Sequence, residues 1–213
     1  ILVGDSTMGQ LVCINHYDSN CPTQPGVPQN LLYRLQARSS LNLDTWKDYL
    51  NETRIALTAN LKTTTKKLKT RHAKGKIAVV LNSGIWDLLA DEQGTGGPDF
   101  EYHIQACRQL VQAVQEEFPS VTVLWKSMTA VHIHVIPKTF KDWYHGRRVY
   151  YMSNFRARKI YDLQMELMAD LQIPVLDLFQ TTYLAAHKMR PGDGRHYTED
   201  FNQLMLSYFY PNR

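Results

Sequence analysis

Gly4-Asp5-Ser6 closes a short apolar stretch, Leu2-Val3, near one end of the sequence, and Asp193-Gly194-Arg195-His196 lies near the other. A hydroxyl presented where a strand ends is a weak nucleophile until a neighbouring base takes its proton during attack. His196 is the candidate base. Asp193, with two residues between, can reach the other ring nitrogen across a single turn, which fixes the tautomer and stabilises the imidazolium that forms. Pro191, Gly192 and Gly194 suit a bent loop that turns both side chains the same way. Ser6 alone would equally end a strand or cap a helix. The separate Asp-x-x-His selects the nucleophile reading, because independent parts of one machine agree. Asp5 is read as tying down the turn after the strand.

These residues need a scaffold. Leu2-Val3, Ile77-Ala78-Val79-Val80-Leu81, Val121-Thr122-Val123-Leu124-Trp125 and residues 173–178 read as buried strands. Between them lie helical patterns. Residues 99–118 carry Ile104, Cys107, Val111, Val114 and Phe118 on one face, with Asp99 and Glu101 in the first turn. Residues 153–171 carry Phe155, Ile160, Leu163, Leu167 and Leu171, and Trp46, Leu50, Leu57 and Leu61 suggest a third helix. Strands alternating with helices imply parallel crossovers, hence an α/β fold: a three-layer α/β/α sandwich with a mainly parallel sheet. Ligands of such sheets bind outside the carboxyl ends of the strands. Ser6, residues 82–87, residues 126–128, Asp193 and His196 all fall on that rim. Residues 20–30 and 91–98, rich in Pro or Gly, read as loops.

A chain of 213 residues, 44% hydrophobic, suits a single domain over 1–213. It opens inside a strand without an initiator Met, so the expectation is a domain cut from a longer protein. No run of 18 apolar residues occurs. No membrane contact is expected within the segment, and any anchor would lie outside it. The net charge of +4 comes largely from Lys62, Lys66, Lys67, Lys69, Arg71, Lys74 and Lys76. Thr, Leu and Ala interleave them instead of base-stacking aromatics, so the cluster reads as a solvated helix end and loop, and no nucleic-acid partner is expected. Cys107 falls on an apolar face and is a small core residue. Cys13 and Cys21 would close a short loop in a secreted protein, and Asn51-Glu52-Thr53 is a glycosylation pattern, so a secretory or extracellular location is expected. His132-Ile133-His134 would set two imidazoles on one strand face. Two ligands are not a metal site, so this stretch is read as a half-exposed strand or pocket wall, and no metal or cofactor is expected. The long stretch 127–151, with Trp143, Tyr144, His145, Arg147 and Arg148, follows a strand onto the same rim and is read as substrate-loop territory.

Gly4-Asp5-Ser6 after a strand, with Asp193-Gly194-Arg195-His196-Tyr197 toward the other end, resembles the SGNH (GDSL-type) hydrolase superfamily. Leu81-Asn82-Ser83-Gly84-Ile85-Trp86-Asp87-Leu88 resembles its PC-esterase branch, which includes trichome-birefringence-like O-acetyltransferases and the luminal domains of sialic-acid O-acetyltransferases. The α/β-hydrolase elbow Gly-x-Ser-x-Gly is absent, because Met8 stands where Gly is needed. The resemblance implies a flavodoxin-like α/β/α fold, Ser6 as nucleophile, His196 as base and Asp193 as its orienting acid. Two departures matter. The superfamily's Gly-x-Asn-Asp block, whose Asn donates to the oxyanion, is matched by Gly84-Ile85-Trp86-Asp87, with Trp86 in place of that Asn. The second oxyanion-donor Gly has no match, since Gly26 is the only Gly between Gly9 and Gly75. Asn82, two residues before Gly84, is the substitute donor available, and Trp86 and Asp87 are read as supporting the site. The expected activity is a serine-dependent ester hydrolase or O-acyl (acetyl) transferase, acting on a small-molecule or glycan ester through an acyl-enzyme on Ser6. The rival reading is a non-catalytic carbohydrate-binding or interaction domain that keeps the fold with a defective oxyanion hole.

Overall fold

Alternate residues of a strand face opposite ways, and the apolar runs of this chain divide by parity. Val3, Val79, Leu81, Val121, Val123 and Trp125 share one apolar cluster, whereas Leu2, Val80, Leu124 and Leu176 belong to another. The computed structural model describes residues 2–4, 33–35, 41–68, 77–89, 100–136 and 151–208. Asp5, Ser6, Cys13, Cys21, the expected loops 20–30 and 91–98, and the aromatic and basic residues 143–148 lie outside them. The strands are β1 (Leu2–Gly4), β2 (Tyr33–Leu35), β3 (Ile77–Leu81), β4 (Val121–Lys126) and β5 (Val175–Leu176). They form one parallel sheet in the order β2-β1-β3-β4-β5. Burial of both faces explains why β3 reads as a continuous apolar run.

Two strands differ from expectation. β2 is a three-residue segment, Tyr33-Arg34-Leu35, too short to show a period. β5 is shorter than the apolar run 173–178, because Pro174 has no N–H to donate to the ladder. Its carbonyl still accepts from the Trp125 amide at 3.0 Å.

The helices are α1 (Trp46–Leu68), α2 (Phe100–Glu117), α3 (Asn154–Asp170), α4 (Phe179–Leu184) and α5 (Glu199–Ser207). Leu50 and Leu57 of α1, Leu110, Val111 and Val114 of α2, and Leu167 and Met168 of α3 pack on the odd-numbered face of the sheet. Phe201, Met205 and Leu206 of α5 cover the other face. This is the three-layer α/β/α arrangement. The anticipated face of α2 is the buried one, Cys107 included. In α3 the stripe begins one turn later than read: Phe155 is 84% exposed, and the buried positions are Ala157, Ile160, Gln164, Leu167 and Met168. Ser153 caps this helix by accepting from the Arg156 amide at 3.3 Å.

The His-x-His stretch is no strand: Ile133–Val135 forms a single 3₁₀ turn. Asn51-Glu52-Thr53 lies within α1, not in a loop, and the buried Thr53 hydroxyl donates to the Tyr49 carbonyl at 2.8 Å. A third apolar cluster sits on the segments that follow β3 and β4, joining Ile85 and Leu88 to Met128, Ala130, Val131 and Ile136. It is the floor on which the rim residues stand. No described helix is long and apolar enough to cross a membrane.

These assignments predict that Leu110→Ala, at a site 1% exposed, costs about 2–5 kcal/mol, and Leu204→Ala, at one 50% exposed, about 0.5 kcal/mol or less. Urea unfolding of the two variants checks the difference.

Candidate active site

Residues 188–198 fold into a small hairpin. Thr198 N donates to the Lys188 carbonyl at 2.8 Å, Arg190 N donates to the His196 carbonyl at 2.9 Å, and Met189 bridges Tyr197 antiparallel. The Asp193 N–H donates to the Arg190 carbonyl at 3.1 Å and closes the tip. Asp193 and His196 face each other across that tip.

The two oxygens of Asp193 have separate work. Oδ1 accepts from the backbone amides of Arg195 and His196 at 3.3 and 3.2 Å, an Asx-type turn built by the side chain on its own backbone. Oδ2 lies 2.7 Å from His196 Nδ1. A carboxylate accepts there, so Nδ1 carries the proton and Nε2 is left as the basic nitrogen. His196 is buried, and the side chain of Asp193 keeps partial access to solvent. Burial by itself would push the Asp193 carboxyl up. The hydrogen bond and charge of His196, with Arg195 behind them, outweigh it and hold the carboxyl below the ordinary range.

The loop rests on the turn formed by the His-x-His stretch. The His132 N–H donates to the Gly194 carbonyl at 2.6 Å. Gly194 has φ +73°, and a Cβ there would stand 2.6 Å from Ile136 Cγ1 and 3.0 Å from the His132 carbonyl. Only glycine fits both the conformation and the gap. His132 and His134 meet edge to face with ring centroids 5.7 Å apart. His132 Nε2 lies 3.0 Å from the Thr182 carbonyl. Burial lowers the His132 pKa against the help of that bond, and His134 lowers it further, so the neutral ring donates to the carbonyl. Among the described residues no group of three or more His, Cys, Asp or Glu is placed to hold a metal ion. Sequence spacing alone did not reveal that His132 seats a loop.

The segment after β3 is the second part of the rim. Its residues 82–89 are buried throughout. The Asn82 amide N–H extends the ladder to the Val3 carbonyl at 3.0 Å, and its side-chain Nδ2 donates to the Lys126 carbonyl at 3.4 Å, spanning the ends of β3 and β4. Gly84 has φ +131°, and a Cβ on it would meet Met128 Sδ at 2.9 Å. Trp86 and Asp87 lie on a 3₁₀ turn, Trp86–Leu88. The Arg195 guanidinium sits 5.1 Å from the centroid of the Trp86 ring and 3.6 Å from Asp193 Oδ1, so this residue joins the rim of β3 to the Asp193 loop. Asp87 turns to the core instead, where Oδ1 lies 3.3 Å from His103 Nδ1. Asn82, Gly84, Trp86 and Asp87 are thus gathered on one segment, and only Trp86 is bridged to the loop by the described contacts. Sequence reading missed Arg195, His103 and Gln164, all buried polar side chains that each reach a partner distant in the chain.

The parallel α/β/α sandwich of this chain is a fold that solved structures share. Solved structures with this fold include a GDSL-like lipase from Bacteroides thetaiotaomicron, TM-score 0.59 at 14% identity, covering 99% of this chain and 85% of that one. A carbohydrate acetylesterase from Sinorhizobium meliloti gives 0.59 at 14% over 99% and 95% of the two chains, and an aryl esterase from M. smegmatis gives 0.58 at 14% over the same shares. No protein-family model and no curated protein matches the chain.

Because Asp193 is held below its ordinary pKa in the folded chain, its contribution to stability is complete above the unfolded carboxylate's range and is lost as pH falls through the folded value. The expected result is that Asp193→Asn is less stable than the parent at neutral pH and that the gap closes on acidification below about pH 4. Chemical denaturation across pH measures it.

Proposed function

We propose that the chain is a serine-dependent ester hydrolase. The observation that carries the reading is the 2.7 Å contact between His196 Nδ1 and Asp193 Oδ2, on a loop seated against the rim of the parallel sheet. It leaves Nε2 as an oriented base, and the chain supplies Ser6 just after β1, a strand inside the same sheet. In the proposed reaction Ser6 Oγ attacks the ester carbonyl carbon while His196 Nε2 takes its proton. The tetrahedral intermediate collapses, the C–O bond to the alcohol breaks, and the imidazolium returns the proton to the leaving oxygen. Water, activated by the same nitrogen, then releases the acid.

The resemblance of 81–88 to PC-esterases supports a narrower form of the proposal, with O-acetyl groups on carbohydrate as substrate and an acceptor hydroxyl able to replace water. Similarly folded proteins described as a carbohydrate acetylesterase and an acetyl xylan esterase support the same substrate class. The oxyanion would take the Ser6 N–H as one donor and Asn82 as a second. A missing donor costs about 10² to 10³ in rate, so the packing of Trp86 against Arg195 is the observation that favours a non-catalytic glycan-binding domain as the second reading.

A fluorophosphonate probe should label the parent domain and leave Ser6→Ala unlabelled, and His196→Ala should lower kcat on an aryl acetate by about 10⁴-fold or more. Well-folded parent protein that takes no label would decide for the binding domain. Acetate release that needs no oligosaccharide acceptor would exclude an obligate transferase.

A further inference from the structure

Gln164 stands in the middle of the apolar stripe of α3, fully buried, at a position where Leu or Met would fill the same volume. A buried amide is costly unless all its hydrogen-bonding groups are met. Here they are met by three different elements. Trp125 Nε1 of β4 donates to Gln164 Oε1 at 3.3 Å, which fixes the orientation of the amide. Its Nε2 donates to the Ser83 carbonyl at 3.0 Å and lies 3.0 Å from His103 Nε2 of α2. With Oε1 assigned by the indole, Nε2 donates in both contacts, so His103 Nε2 accepts and its proton is on Nδ1. That Nδ1 lies 3.0 Å from the Leu41 carbonyl and 3.3 Å from Asp87 Oδ1, and Cys107 Sγ lies 3.5 Å from Nε2.

These contacts grip one short segment at both ends. Gln164 takes hold of it at Ser83, and His103, itself bonded to Gln164, takes hold of it at Asp87. Gly84, Ile85 and Trp86 are strung between. A Cβ on Gly84 would stand 3.3 Å from Gln164 Nε2, so the glycine is also what lets the amide close on the Ser83 carbonyl.

We propose that Gln164 is a positioning residue for ester chemistry at this site: through the Ser83 carbonyl it sets the segment that carries Asn82 and Trp86 against the Asp193–His196 loop. The inference rests on the hydrolase reading given above. Gln164 also bears on the state of His103. Burial disfavours charge on that ring, and Asp87 and Cys107 more than offset it and raise its pKa, whereas the donor from Gln164 favours an unprotonated Nε2.

Gln164→Glu tests this, because it keeps the size of the side chain and the acceptor for Trp125 but replaces the donor by oxygen. His103 then gains a proton and bonds to the new oxygen, so the core is repaired while the Ser83 carbonyl alone loses its partner. The expected result is a cooperatively folded protein whose imidazole ¹⁵N shifts show a protonated His103 Nε2, with displaced amide signals for Ser83, Gly84 and Ile85. On p-nitrophenyl acetate, kcat falls about 10²-fold with KM within about twofold of the parent. Gln164→Met, which removes every bond of the amide, is expected to show the same loss of kcat. A parental kcat in folded Gln164→Glu, unmoved rim amides, a change confined to KM, or loss of folding in both variants would overturn the proposal. A parent protein without Ser6-dependent turnover would tell against the hydrolase reading before any substitution is compared, and the amide shifts would then decide the positioning of the segment by themselves.

Discussion

The arrangement at the rim depends on one close approach of backbone to backbone. The Gly194 carbonyl meets the His132 N–H at 2.6 Å, and that contact fixes where Asp193 and His196 stand relative to the sheet. Its neighbours reinforce it. Tyr197, next to His196, places its hydroxyl 3.1 Å from the carbonyls of both Ala130 and Thr182. Ala130 N donates to the Thr182 hydroxyl at 3.0 Å, so α4 anchors the turn and the loop together. A packed interior tolerates few intermediate arrangements, which makes such a seat an all-or-none device.

Several parts of this design could be read from the chain, and the reasons are local. Parity within Ile77–Leu81 and within β4 gives two buried faces, and the stripe of α2 gives a helix lying on one of them. Asp193 and His196 are three positions apart, so their meeting needs only a turn. The rest depends on partners that periodicity does not connect. Gln164 and His103 are 61 residues apart, and Asn82 reaches a carbonyl 44 residues away. A hydrophobic pattern treats a buried Gln as a gap in the stripe, and it registered Phe155, in the first turn of α3, as part of that stripe. The His-x-His stretch misled for a related reason: period-two spacing says nothing of whether the backbone is extended.

Charge near the loop is arranged around a single carboxylate. Asp193 faces His196 on one oxygen and Arg195 on the other, and Arg195 in turn lies over Trp86. An aromatic face and a guanidinium tie the two halves of the rim together. Burying a cation is tolerable only beside an anion or a π-system, and here both are present. The same geometry favours an ionised Asp193.

The order β2-β1-β3-β4-β5 puts β1 inside the sheet, where Leu2 pairs with both Tyr33 and Val80. The turn that unites Asp193 and His196 can form as soon as those few residues exist, but β1 must slot between two strands far along the chain, and long loops close slowly. On the hydrolase reading, the nucleophile's position therefore rests on two long-range strand pairings, whereas the acid and base meet through a local turn.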